Sequence, residues 1–259
     1  SSYTDYFGIG LYNSSGTLLA GQETGSDTTF SAGVDHAGTY YVGIIADDYY
    51  HSDGEYGLTA SVSTVVGNVE TEDNGTIATA DTLTNGQELK GQIATPSDID
   101  FYKISVGQAG SISLSFDAPT SSYTDYFGIG LYNSSGTLLA GQETGSDTNF
   151  SAGIEQAGTY YVGIIADDYY HSDGEYGLTV TTSNRLGSAE TEDNGTFATA
   201  DVLSNGQELK GQIATSSDID FYKISVGQAG VISLSFDAPT SSYTDYFGIG
   251  LYNSSGTLL

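Results

Sequence analysis

Apolar side chains in this chain fall mostly on alternate positions, in short runs separated by glycine-containing turns. Residues 111–118 (SISLSFDA) are the clearest run, with Ile112, Leu114 and Phe116 on one face and serines between them. Successive side chains of an extended strand point to opposite faces, so this alternation predicts a strand with one buried side. Similar patterns predict strands over 88–93, 100–106, 126–132, 158–166 and 176–181. Turn signals at Gly107-Gln108-Ala109-Gly110, Ser134-Ser135-Gly136 and Ala157-Gly158 divide them. A helical turn is expected only near residues 76–80.

A longer period overlies this alternation. The string SSYTDYFGIGLYNSSGTLL begins at Ser1, again at Ser121 and again at Ser241, a period of 120 residues. Between 1–139 and 121–259, 17 positions differ, and eight of these lie from Ala60 to Val69. Such a local burst of difference marks a linker between packed elements. The expected organisation is the C-terminal half of a unit at 1–63, a linker at 64–67, a complete unit at 68–183, a second linker at 184–187 and the N-terminal half of another unit at 188–259. The chain then reads as a window on a longer array. A half-sandwich leaves an apolar face and unpaired edges, so each half is expected to be completed by a neighbouring copy. Seven or eight short strands per unit predict an all-β fold of tandem, jelly-roll-like antiparallel β-sandwiches.

Charge restricts the partners. Thirty-three Asp and Glu oppose 5 Lys and Arg, a formal charge of −28. Such a surface repels nucleic acid and anionic lipid, and its self-repulsion calls for cations or salt. There is no cysteine, hence no disulfide and no thiol ligand or nucleophile. No apolar run reaches the about 18 residues of a membrane-spanning helix. The 21 Tyr and 10 Phe supply core material that a disordered acidic chain lacks.

The acids are not scattered evenly. Glu70 and Glu72 project the same way from an extended segment, as do Asp98 and Asp100 at a strand entrance. Two such pairs brought together match the all-oxygen shell of six to eight ligands that Ca²⁺ prefers. The plainer alternative is a solvated acidic surface with Asn74-Gly75 as a turn. A second acidic stretch, Asp47, Asp48, Asp53 and Glu55, recurs as Asp167, Asp168, Asp173 and Glu175. It is a candidate for a looser calcium loop, for a contact surface built on Tyr49, Tyr50 and Tyr56, or for a solvated loop. Asp117 and Asp125, flanking Pro119, form a third pair. His51 and His171 recur and His36 does not, so no zinc ligand set is present. No nucleophile elbow or phosphate-cradling glycine loop occurs, and catalysis is not expected. The Asn-x-Ser/Thr triplets at Asn13, Asn74, Asn133 and Asn194 read as turn chemistry.

Four phrases in order give a family resemblance: Glu70-Thr-Glu72-Asp73-Asn74-Gly75-Thr76, Ser97-Asp98-Ile99-Asp100-Phe101-Tyr102, Ala157-Gly158-Thr159-Tyr160-Tyr161-Val162 and Tyr176-Gly-Leu178-Thr-Val180. Together they resemble the bacterial pre-peptidase C-terminal domain family, β-sandwich modules of secreted proteases, collagenases and large surface proteins. The resemblance implies calcium at Glu70, Glu72, Asn74, Asp98 and Asp100, and in the next unit at Glu190, Glu192, Asn194, Asp218 and Asp220. Calcium-binding relatives often carry an Asp directly after the Asn. Here Gly75 and Gly195 stand instead, one oxygen ligand fewer.

The expected function is therefore a structural repeat of an extracellular, bacterial filament, stalk or adhesin. Neighbouring copies would follow head-to-tail, with Ca²⁺ stiffening the junctions. The alternative is a module that binds carbohydrate or matrix protein by multivalency. Adaptation to high salt would explain the acidity without specific sites.

Overall fold

The computed structural model describes residues 7–34, 36–46, 55–63, 68–119, 127–166, 174–184, 188–239 and 247–259. Two compact units are distinguished, Ser1–Ile224 and Ser225–Leu259. In the first, β1 (Phe7–Tyr12), β2 (Leu18–Thr24) and β3 (Tyr41–Ala46) form an antiparallel sheet in the order β2-β1-β3. Nine strands follow between residues 81 and 183. They are β4 (Asp81–Thr82), β5 (Glu88–Gly91), β6 (Ile99–Val106), β7 (Gly110–Asp117), β8 (Phe127–Tyr132), β9 (Leu138–Thr144), β10 (Thr148–Ile154), β11 (Gly158–Ala166) and β12 (Tyr176–Ser183).

These nine strands make the sandwich. One sheet has the order β10-β7-β12-β5 and the other β4-β6-β11-β8-β9; the pairs are antiparallel except β4 with β6. The alternation seen in the sequence sets which side faces inward. Along β7, Ile112, Leu114 and Phe116 are buried, and Ser113 and Ser115 are not. Phe116 stacks on Phe127 of the opposite sheet at 5.1 Å between ring centroids, and on Tyr176 at 5.3 Å. Each large apolar side chain buried in this layer contributes about 1.5–3 kcal/mol. The strands β9 and β10 escaped sequence reading because their apolar residues run consecutively (Leu138-Leu139-Ala140) or sit between polar neighbours.

Residues 76–79 form the single turn expected there, closed by Thr79 N–H donating to the Thr76 carbonyl (3.0 Å). Asn133 acts as turn chemistry: its Oδ1 accepts from Ser135 N (2.9 Å) and Thr137 N (3.0 Å), and Gly136 adopts φ 80°. A residue with a Cβ is strained there, which explains the glycine. The same turn occurs at Asn13.

The copies that flank the sandwich are only partly formed. Residues 28–34 and 56–63, equivalent to β10 and β12, carry no strand, although β1–β3 form normally. In the third copy, β13 (Asp201–Val202) pairs with β14 (Tyr222–Lys223) in parallel, as β4 does with β6. Residues 230–237, equivalent to β7, form no strand. The physical reason is pairing. In the complete unit β7 bonds to β10 on one side and β12 on the other, and both lie in the later half of the repeat. The unit Ser225–Leu259 retains the Phe236–Phe247 stack at 5.1 Å, the counterpart of Phe116–Phe127, and a bridge between Tyr252 and Leu258.

Leu114→Ala should cost about 2–5 kcal/mol, because the site is closely packed between sheets. In a thermal melt this corresponds to a drop on the order of 10 °C for a domain of this size.

Candidate metal centre at the repeat junction

The leading segment of the complete unit, residues 68–75, runs across the start of the sandwich and is held at several points. Glu70 N–H donates to the Lys90 carbonyl (2.9 Å), and Lys90 N–H to the Asn68 carbonyl (2.7 Å). Thr71 is fixed through its backbone N–H (2.6 Å) and hydroxyl (2.8 Å), which donate to the two oxygens of Asp81. The Asn74 carbonyl accepts from Phe101 N (3.1 Å), tying the segment to β6. These bonds turn Glu70, Glu72 and Asn74 toward Asp100 on β6.

The result is an all-oxygen cluster. Glu70, Glu72 and Asp100 each offer one carboxylate oxygen, and the three atoms lie within 4.8 Å of one another. Glu70, Asn74 and Asp100 are buried. Tyr102 hydroxyl donates to Glu70 Oε2, Tyr176 hydroxyl to Asp100 Oδ2, and Asn74 Nδ2 to Glu70 Oε2 at 3.3 Å. Three buried oxygens have no hydrogen-bond partner: Glu72 Oε1, Asn74 Oδ1 and Asp100 Oδ1. An unsatisfied buried acceptor is costly, and three at one place form a donor set that could hold a cation. The next copy repeats the arrangement, with Glu190, Glu192 and Asp220 clustered and with Glu192 Oε1, Asn194 Oδ1 and Asp220 Oδ1 left unpaired.

Asp98 plays a different part from its neighbours. Its oxygens accept from Ala94 N (2.8 Å) and Ile99 N (3.0 Å), shaping the loop before β6, and Asp218 does likewise with Ala214 and Ile219. Neither belongs to the three-carboxylate groups. Their charge still bears on the cluster. Burial first, then the Asp98 charge, lifts Glu72 from 4.5 to about 8. Burial lifts Glu70 to about 7 against the opposing hydrogen bonds from Tyr102 and Gln92, and it holds Asp100 well above its ordinary value. In the next copy burial lifts Glu192 to about 8 and Asp220 to about 7. The donor set, with no His or Cys, suits a hard cation better than zinc.

The cluster also touches the preceding copy. Glu70 carbonyl accepts from Gly33 N (2.9 Å), and Glu70 Oε1 from Gln92 N (2.5 Å). The Gln92 amide in turn grips both backbone groups of Gly21: Oε1 accepts its N–H (3.0 Å) and Nε2 donates to its carbonyl (2.7 Å). The second junction repeats this with Gly153 on Glu190 (2.8 Å) and Gly141 on Gln212 (3.0 and 2.5 Å). A Cβ on Gly33 would lie 2.2 Å from the Glu70 carbonyl oxygen, and one on Gly153 lies 2.4 Å from that of Glu190, so only glycine allows the approach.

No local pattern in the sequence marks Gln92, Gly33 or Asp81. They recur in both copies, but so does almost everything else, and a near-identical repeat offers no contrast. Tyr102 and Tyr176 belong to the phrases that carry the family resemblance, but their place at the cluster was not foreseen, because hydroxyls converging from two sheets leave no local trace. Of the second acidic loop, Asp167, Asp168 and Asp173 lie outside the described residues, as do Asp47, Asp48, Asp53, Tyr49, Tyr50, His51 and His171. Glu175 is described, and it pairs with Lys90. Asp125 of the third pair is likewise outside the described residues; Asp117 is exposed on β7. Asn74 and Asn194 differ from the other Asn-x-Ser/Thr triplets, being buried in the cluster rather than closing a turn.

No family model matches the chain, and no curated protein matches it. Among solved structures it is similar to the pre-peptidase C-terminal domain of a collagenase from Bacillus anthracis, at 24% identity over 39% of this chain and 94% of that one, with a TM-score of 0.31. It is also similar to a cycloisomaltooligosaccharide glucanotransferase from Paenibacillus sp. complexed with cycloisomaltoheptaose, at 17% identity over 35% of this chain and 13% of that one, TM-score 0.25. Neither likeness bears on what the acidic cluster does.

Raised carboxyl values in the folded state mean that protonation favours folding. In metal-free buffer that contribution is fully present below about pH 4.5 and is lost as pH rises through about 7 to 8. Melting temperature in EDTA should therefore fall between pH 5 and pH 8. In Glu72→Gln, which cannot ionise there, the fall should be smaller.

Proposed function

We propose that the chain is a structural repeat segment of an extracellular array whose junctions are clamped by Ca²⁺. The observation that carries this reading is the double role of Glu70. Its side chain belongs to the carboxylate cluster, and its carbonyl and its Gln92 contact reach the preceding copy. Glu190 repeats both roles one period later. A cation held by Glu70, Glu72, Asp100 and the Asn74 oxygen would fix the leading segment, and with it the surface that docks on Gly21 and Gly33.

Calcium fits this set better than magnesium. Its larger, flexible shell accepts several carboxylates and an amide oxygen, whereas Mg²⁺ retains its waters and is strict in geometry. Extracellular water supplies calcium at concentrations that modest sites can use. The role is mechanical rather than catalytic. Repetition at two successive junctions serves stiffness along an array, and nothing in the cluster sets a nucleophile beside a base. The surface charge of −28 keeps neighbouring arrays apart and draws cations in. Among the described residues no helix is long and apolar enough to cross a membrane.

The test is a thermal melt of the full chain at pH 7.5 in EDTA, in CaCl₂, and in NaCl of matched ionic strength. A ligand specific to the folded state stabilises by about 2.7 kcal/mol at a hundred times its dissociation constant, or roughly 10 °C here. CaCl₂ should produce this rise and NaCl should not. Glu72→Gln combined with Glu192→Gln should melt higher than the parent in EDTA, since like charges are removed, and should lose the response to calcium. An equal response to both salts would sink the reading and leave adaptation to salt in its place.

A further inference from the structure

A sandwich of two open sheets has four edge strands, and each presents unpaired main-chain groups that invite a foreign strand. In the complete unit these edges are β10 and β5 in one sheet and β4 and β9 in the other. Two of them are managed within the unit. β4 has only two residues. β5 is covered by its own leading segment, where Val69 forms a parallel bridge with Lys90, and Asn68 and Glu70 bond to the Lys90 main chain. β9 and β10 have seven residues each, and among the described residues no strand of the unit pairs with their outer sides.

The following copy reaches both of these edges. On β9, the Gln212 amide accepts from Gly141 N (3.0 Å) and donates to the Gly141 carbonyl (2.5 Å). That is the exchange made by a hydrogen-bonded pair in an antiparallel ladder, with a side chain in place of a second strand. On β10, Gly153 N donates to the Glu190 carbonyl (2.8 Å), and Gly153 forms a parallel bridge with Thr191. One residue links the two contacts, since the Glu190 carboxylate accepts from Gln212 N. The preceding junction is built alike. Gln92 holds Gly21 on β2, an edge of its sheet, and Gly33 bridges Thr71. Gln92 is buried, as a polar side chain can be when its bonds are made.

We infer that Gln92 and Gln212, together with Gly33 and Gly153, are clasps by which each copy seals the two open sheet edges of the copy before it. The partner that this side of the sandwich fits is the leading part of the next copy, and a foreign strand is kept out. Between copies the contacts are made by amide and main-chain groups, which carry no charge, so the clasp holds with or without a cation. The inference rests on the repeat organisation of the array reading and not on its ion.

Hydrogen exchange of the full chain, read on proteolytic fragments, tests this. The stretch LLAGQET is the same at 18–24 and 138–144, so it reports Gly21 and Gly141 together; SISLSFD occurs only at 111–117 and reports the core of the complete unit. In the parent, the Gly21 and Gly141 amides should be protected in EDTA and in CaCl₂ alike. Gln92→Ala/Gln212→Ala should speed their exchange roughly tenfold or more while 111–117 stays protected. Gly33→Ala/Gly153→Ala keeps both glutamines but sets a Cβ 2.2 and 2.4 Å from the carbonyl oxygens of Glu70 and Glu190. It should speed the same fragment. Faster exchange in both variants supports the clasp, whatever calcium does to the melting temperature. Protection of the parent in CaCl₂ alone, or unchanged exchange in either variant, would overturn it.

Discussion

Strand β7 has hydrogen-bonding partners on both edges, and neither is its neighbour in sequence. β10 pairs along its whole length on one side and β12 on the other. The inward side chains Ile112, Leu114 and Phe116 can leave water only when both partners are in place. Burial along this strand therefore requires both halves of the repeat. Loop closure must bring residues some 30 to 70 positions apart together before any of the pairing is gained, the ordinary cost of a sandwich rich in non-local contacts. The flanking copies display the consequence. β1–β3 form because β8, β9 and β11 are their equivalents within one half, whereas the equivalents of β7, β10 and β12 do not.

The acidic cluster depends on that core in turn. Tyr102 and Tyr176 reach it from different sheets with their rings in the apolar layer and their hydroxyls on Glu70 and Asp100. Without the sandwich these hydroxyls would not meet, and the carboxylates would remain solvated. Burial is what converts ordinary surface acids into a set that resists ionisation and leaves acceptors unpaired. A cation held by these three carboxylates would reverse that penalty, turning charge that opposes folding into ligand density. Placement of the cluster on the leading segment, which also contacts the preceding copy, makes this a property of the junction as well as of the domain.

Much of this was legible in the residues. The all-β class, the positions of β6, β7, β11 and β12, and the period of 120 residues follow from alternation and recurrence, since each is a local or strictly periodic signal. Glu70, Glu72 and Asp100 were also legible, because acids on alternate positions of an extended segment share a face, whereas Asn74 entered only through the family resemblance. Asp98 has the same spacing but spends its oxygens on its own loop, a choice made by backbone geometry that spacing does not encode. β9 and β10 lacked alternation and were not legible.

By itself the sequence determined that this is a repeated, cysteine-free, acidic β protein with carboxylates grouped at the start of each unit. Period and charge are properties of a string and need no coordinates. Only the tertiary structure decided that Gln92 and Gly33 form the junction, that two tyrosines close over the carboxylates, and that Glu72, Asn74 and Asp100 keep unpaired oxygens. Those are relations between residues distant in sequence, and burial and pairing exist only once the two sheets have packed.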